Sequence, residues 1–197
     1  MGKRRLIVGI SGASGAAYGL RALDLAKAAD VETHLVVSRS ALLTLKQELD
    51  LQKTDIEKRA DVVHSPADIG ATIASGSFRT MGMLIAPCSV KTMSEIATGV
   101  TSTLMSRAAD VALKERRRLV LMLRETPLHL GHIETMAALT RMGAILMPPV
   151  PALYARPKSI DEMITHSTAR ALDLFDIDTG AIRRWNGLKD SLAGETA

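Results

Sequence analysis

The feature that most constrains the fold is an alternation. Short, β-branched apolar runs recur along the chain, and each is followed by a longer stretch in which apolar positions repeat with the helical period. Six runs read as strands, at 5–9, 31–37, 61–64, 83–86, 119–123 and 144–147. Helices are expected at 15–29, 40–50, 90–98, 102–115, 130–142 and 160–175. Continuously apolar strands that alternate with helices form parallel sheets covered on both faces. The expected architecture is therefore α/β: a three-layer, Rossmann-like parallel sheet with helices on both sides. In the first helix Ala16, Leu20, Leu23 and Ala26 share one face, whereas Arg21, Asp24 and Lys27 point away, the pattern of an amphipathic cover. No repeat or linker divides the chain, and Pro148, Pro149 and Pro151 make a stiff turn after a strand. One domain over 1–185 is expected, with a polar and mobile tail at 186–197.

Composition narrows the function classes. At 197 residues the chain can bury a full core without a disulfide, and Cys88 is its one cysteine, so a reducing, cytoplasmic setting is expected. The net charge of +4 raises a nucleic-acid reading, but the five aromatics, Tyr18, Phe78, Tyr154, Phe175 and Trp185, are scattered and build no base-stacking platform. A small anionic ligand accounts for the charge equally well. The basic start is followed by an apolar run that Ser11 and Gly12 soon interrupt, too short for a signal peptide. No apolar stretch approaches the roughly 18 residues of a membrane span.

Ligands of open parallel sheets sit beyond the carboxyl ends of the strands, so the residues there carry most of the functional information. After the first strand comes Gly9-Ile10-Ser11-Gly12-Ala13-Ser14-Gly15-Ala16, a glycine-rich turn into a helix whose first N–H groups suit a phosphate. A tight capped turn is the plainer alternative. The second strand ends at Ser38, where a dinucleotide-binding unit would carry an acid for the ribose; a mononucleotide such as FMN is favoured over NAD, although Ser38 also suits a helix N-cap. The fourth ends in Pro87-Cys88-Ser89-Val90-Lys91-Thr92, with two hydroxyls and a cation at a helix start. Cys88 reads as a small buried apolar residue, the commoner case, since a nucleophilic cysteine needs a nearby base. The fifth ends in Arg124 and Glu125, a fixed cation beside a candidate general acid or base. Glu125, His129, His132 and Glu134 lack any metal-ligand spacing. Tyr154 follows the sixth strand in an apolar turn and can form a pocket wall. Arg107 and the 114–118 charge run read as a solvated face, the usual fate of such runs.

Taken together, GISGASGA, ASGSF, APCSVKT, SRAADVALKERRRLVLMLRETPLHLGH and MGAILMPPVPALY resemble the flavin prenyltransferase (UbiX) family over residues 6–185. The resemblance implies a flavodoxin-like fold, a homo-oligomer, typically a dodecamer, with sites at subunit interfaces, and transfer of the dimethylallyl group of dimethylallyl phosphate to N5 and C6 of reduced FMN. It also implies delivery of the prenylated flavin to a UbiD-type decarboxylase, with no metal. Flavin contacts carry over to Gly12, Ala13, Ser14, Ser38, Ser89, Val90, Lys91, Thr92 and Arg124. Prenyl-phosphate contacts carry over to Lys114, Arg124, Tyr154 and Arg170. Ser14, Glu48 and Glu125 take the catalytic positions. A prenyl diphosphate would ordinarily call for an Asp-rich magnesium motif, and no DDxxD is present, so a monophosphate donor is expected. An aromatic acid decarboxylase subunit and a non-catalytic FMN carrier are the alternatives.

Overall fold

A computed structural model describes residues 3–182 and 184, so the expected tail lies outside the described residues. Six parallel strands form one sheet: β1 (Arg5–Ile10), β2 (Glu32–Val37), β3 (Val62–His64), β4 (Gly82–Cys88), β5 (Arg118–Leu123) and β6 (Ile145–Leu146). Among the described residues there are seven α-helices, α1 (Ala16–Ala28), α2 (Arg39–Leu49), α3 (Lys53–Glu57), α4 (Val90–Thr98), α5 (Leu104–Lys114), α6 (Leu130–Met142) and α7 (Ile160–Asp173). The sheet order is β3-β2-β1-β4-β5-β6, the doubly wound order of a Rossmann fold. Because β3 spans only three residues at the edge, the remaining five strands carry the flavodoxin-like arrangement.

The two-residue period of a strand splits the core. Leu6, Val8 and Ile10 of β1, with Leu84 and Ala86 of β4 and Val120 and Met122 of β5, pack under α1 and α7. Ile7, Met83, Ile85, Leu119 and Leu121 face the opposite way, toward α4, α5 and α6. Each half contains wholly buried leucines or isoleucines, worth about 1.5–3 kcal/mol apiece on burial. Truncating one to Ala would remove more than that, because the close-packed interior cannot collapse into the gap.

The expected helices are all present, and the structure adds the short α3 and two single-turn 3-10 helices, Thr72–Ala74 and Leu153–Ala155. These three lie in stretches too short to display a helical period. Strand β6 is shorter than expected because Met147 makes one more bond, to the carbonyl of Leu121, before the prolines remove further donors. Among the described residues no helix is long and apolar enough to cross a membrane.

Candidate active site

The chain reverses direction across the sheet between β1 and β4, the place where doubly wound folds bind ligands. There the carboxyl ends of four strands are tied side to side. The Ser38 N–H donates to the Ile10 carbonyl at 3.0 Å, and the Arg124 N–H donates to the Cys88 carbonyl at 3.0 Å. Between them Ser11, fully buried, donates its hydroxyl to the Pro87 carbonyl at 2.7 Å and accepts from the Ser89 N–H at 2.7 Å. Its removal would leave the half-buried Ser89 N–H without its acceptor, at about 1–3 kcal/mol, while the Pro87 carbonyl would keep the Ser11 N–H at 3.2 Å. Ser11 therefore sets where Ser89 begins α4. In the sequence it stands out only as one hydroxyl of a glycine-rich turn; its burial, which gives it this task, is a tertiary property.

Beside this seam opens a cavity of about 960 Å³, within the size range of small-molecule sites. Ser38, Ser89, Lys91 and Thr92 line it, as does His64 at the end of β3. Ser38 and Ser89 fulfil the plainer reading as well: each caps its helix, accepting from the N–H of Ala41 at 3.1 Å and of Thr92 at 3.3 Å. The caps hold the hydroxyls at the cavity wall. Thr92 is buried and its hydroxyl accepts from that of Ser89 at 3.1 Å, whereas Lys91 is exposed and pairs with Glu95 at 3.4 Å. Val90 is half-buried at the first helical position.

The turn after β1 differs from the phosphate cradle that its glycines suggest. The carboxylate of Glu48, near the end of α2, accepts from the N–H of Gly15 at 3.1 and 3.0 Å and from that of Ala16 at 3.1 Å. Negative charge is favoured there by the open N–H groups and the helix dipole, so the chain's own carboxylate takes the place of an external anion. The turn is nevertheless built by glycine. Gly15 sits at φ 96°, and a Cβ on Gly12 would come within 2.3 Å of the Ser40 hydroxyl oxygen. Ala13 is half-buried and Ser14 exposed beside it.

The other candidates are more dispersed. Arg124 and Glu125 follow β5 in an exposed loop, and Glu125 accepts from the Thr126 N–H at 2.9 Å. Tyr154, about half exposed, lies in the second 3-10 helix, edge-on to the His166 ring with centroids 6.0 Å apart. Arg170 pairs with Asp173 in the last turn of α7. Lys114 is the most remote: it ends α5 just before β5 begins, hence at the opposite edge of the sheet, and it pairs with Glu115 at 2.6 Å. That Lys114 contact holds the Glu115 carboxyl below the usual carboxylate range. One chain thus gathers Gly12, Ala13, Ser14, Glu48, Ser38, Ser89, Lys91, Thr92 and Arg124 around one end of the sheet and leaves Lys114 outside it.

Cys88 is wholly buried and burial pushes its thiol up to about 12, so it packs as a small apolar residue rather than serving as a nucleophile. Among the described residues no group of three or more His, Cys, Asp or Glu is arranged to hold a metal ion. A linked set of side chains that no sequence motif marks lies behind the cavity wall. His34 lies 3.0 Å from His64 and 3.1 Å from Glu32, which also holds Arg5 and Lys3. The signal available was a histidine, His34, directly ahead of the apolar run Leu35-Val36-Val37 in β2.

Comparison with known proteins gives consistent relatives. The model of the Flavoprotein family matches residues 1–196. The chain is 53% identical over 187 residues to the flavin prenyltransferase UbiX of Neisseria meningitidis serogroup B, covering 95% of this chain and 99% of that one. Among solved structures it resembles AnUbiX (PadA1), in complex with FMN and dimethylallyl pyrophosphate, with a TM-score of 0.93 at 48% identity, covering 94% and 99% of the two chains. It also resembles a dodecameric FMN-dependent UbiX-like decarboxylase from Escherichia coli O157:H7, with a TM-score of 0.89 at 48% identity and coverage of 93% and 100%.

Proposed function

Because this chain belongs to the Flavoprotein family, among its flavin prenyltransferases, we propose that it transfers a dimethylallyl group from dimethylallyl phosphate to N5 and C6 of reduced FMN. The observation that carries this reading is the cavity beside the β1–β4 seam, walled by capping hydroxyls and a lysine, with Arg124 tied through its N–H to the Cys88 carbonyl just before Ser89. Those groups fit a phosphorylated, hydroxyl-bearing ligand: Ser38, Ser89 and Thr92 supply polar contacts on a rigid wall, and Lys91 and Arg124 supply positive charge. The Gly12–Ser14 turn stands at the same end of the sheet for the ring system.

Cleaving an allylic C–O bond builds negative charge on the departing phosphate. Preorganised cations lower that barrier, and one well-placed donor is worth roughly 10²–10³ in rate. Arg124 is the best placed within one chain. Tyr154, Arg170 and Lys114 join it through association of subunits, since Lys114 lies at the far edge of its own sheet. Glu125 serves as the acid toward the leaving phosphate, Ser14 orients the ring near N5, and Glu48 holds the turn that carries Ser14. The product is passed to a UbiD-type decarboxylase, and the protein works in the cytoplasm as a homo-oligomer of the dodecameric type.

Anaerobic incubation with reduced FMN and dimethylallyl phosphate, read by mass spectrometry of the released flavin, tests the assignment. A flavin heavier by one prenyl unit is expected. Bound flavin without that product would leave a carrier role, and carbon dioxide released from an aromatic acid without a second protein would establish a decarboxylase instead.

A further inference from the structure

The lysine, arginine and glutamate side chains that line the cavity fall into two pairs and a remainder. Lys53 is held by Glu57 at 3.2 Å, one turn further along α3, and Lys91 by Glu95 at 3.4 Å, one turn further along α4. The largely buried Glu95 carboxylate also accepts from the Ser102 hydroxyl at 2.9 Å, so it stays on the wall beside its lysine. A carboxylate that close offsets most of the attraction between the ammonium and an incoming anion. The remainder is Arg39, the exposed first residue of α2, whose guanidinium has neither an ion-pair partner nor a hydrogen-bond acceptor among the described residues. It follows directly on β2, whereas Arg124 follows β5. With β1 and β4 between them, three strand spacings, roughly 14 Å, separate the two strand ends, and the Gly12–Ser14 turn after β1 lies between.

We propose that Arg39 is the residue that recognises the phosphate of FMN, and that it selects FMN over riboflavin. This rests on the flavin reading above. A guanidinium is always charged and offers paired N–H donors that match two phosphate oxygens, so an unpaired arginine on the cavity wall outweighs a lysine already beside a carboxylate. Its place also sets the direction of the flavin: phosphate beyond β2, ring system on the turn after β1, reacting edge toward Arg124. The flavin phosphate is thereby kept apart from the allylic phosphate, whose departure Arg124 assists. Lys91, offset by Glu95, adds little net charge.

Fluorescence titration of the full chain with FMN and, separately, with riboflavin tests this, with the thermal midpoint recorded for every variant. Arg39→Ala is expected to weaken FMN about thirtyfold, as loss of a charge-assisted contact implies, and to leave riboflavin within about twofold. Lys91→Ala is expected to weaken FMN by about threefold or less, because the charge it removes is already offset. With FMN saturating, the KM for dimethylallyl phosphate is expected to be unchanged in Arg39→Ala. Unchanged FMN affinity in a folded Arg39→Ala protein, equal losses for the two flavins, a larger loss from Lys91→Ala than from Arg39→Ala, or a raised KM for dimethylallyl phosphate would each overturn the proposal. If the unsubstituted protein binds neither flavin, the flavin reading itself fails and takes this assignment with it; if it binds FMN and Arg39→Ala loses nothing, this assignment alone fails.

Discussion

Two ends of the candidate site are built in contrasting ways. At the junction of β1 and β4 the functional groups are locked by the chain itself: Ser11 bridges two strand ends, Ser38 and Ser89 cap helices, and Glu48 fills the start of α1. Beyond β5 and β6, Arg124, Glu125 and Tyr154 stand in exposed loops, flanked by exposed apolar residues such as Leu130, Val150 and Leu153. The first region is finished within one chain, whereas the second presents charge and apolar surface to solvent, the surface that the proposed association of subunits would cover. In such an arrangement substitutions at the seam register in stability, and substitutions in the loops register in chemistry.

The largest expected effect sharpens that contrast. Arg124→Ala should lower prenyl transfer by about 100-fold or more while leaving the thermal midpoint nearly unchanged, since the side chain is exposed; a rate within threefold of the unsubstituted enzyme would break the assignment. Lys114→Ala should lower the rate at limiting dimethylallyl phosphate by about tenfold, again with little cost in stability, because exposed ion pairs contribute under about 1 kcal/mol. Mixed oligomers of Lys114→Ala with Glu125→Gln subunits should regain activity, as some interfaces would then hold an intact set; absence of any recovery would place both residues in the same chain's site.

At the seam the expected signs reverse. Ser11→Ala should cost about 1–3 kcal/mol, a drop of several degrees in thermal midpoint, by removing the acceptor of the Ser89 N–H and one of the two donors to the Pro87 carbonyl. Glu48→Ala should cost about 1 kcal/mol through loss of the acceptor at α1, measured by urea unfolding. The smallest effect concerns pH. Because the Arg5 guanidinium holds Glu32 at about 2 in the folded chain, below its ordinary value of 4.5, that contribution is complete above about pH 4.5 and disappears as pH falls toward 2. Urea midpoints compared at pH 5 and pH 3 should show a smaller acid loss in Glu32→Gln; identical losses would show that the Glu32 cluster contributes nothing to acid sensitivity.

Legibility in the sequence followed the range of the interactions concerned. Strand β4 and helix α5 were readable because their apolar periods are written in consecutive residues, and Ser38 and Ser89 because capping is local. The glycine-rich turn was recognised as an anion site, but its occupant was not, since Glu48 lies 33 residues from Gly15 and meets it only after α2 packs back against the turn. His34 and His64 escaped notice for a similar reason: they are 30 residues apart and become partners through the pairing of β2 with β3.

By itself, then, the sequence determined the elements, their alternation and hence a parallel sheet with chemistry at its carboxyl edge, together with the motifs that mark the family. The tertiary structure alone decided which of the marked residues stand together. It set Ser11 behind Ser89, gave the α1 terminus to Glu48 and carried Lys114 to the far edge. The physical reason is that helices and strands form from neighbouring residues, whereas a site is made by the register and order in which distant strands pair.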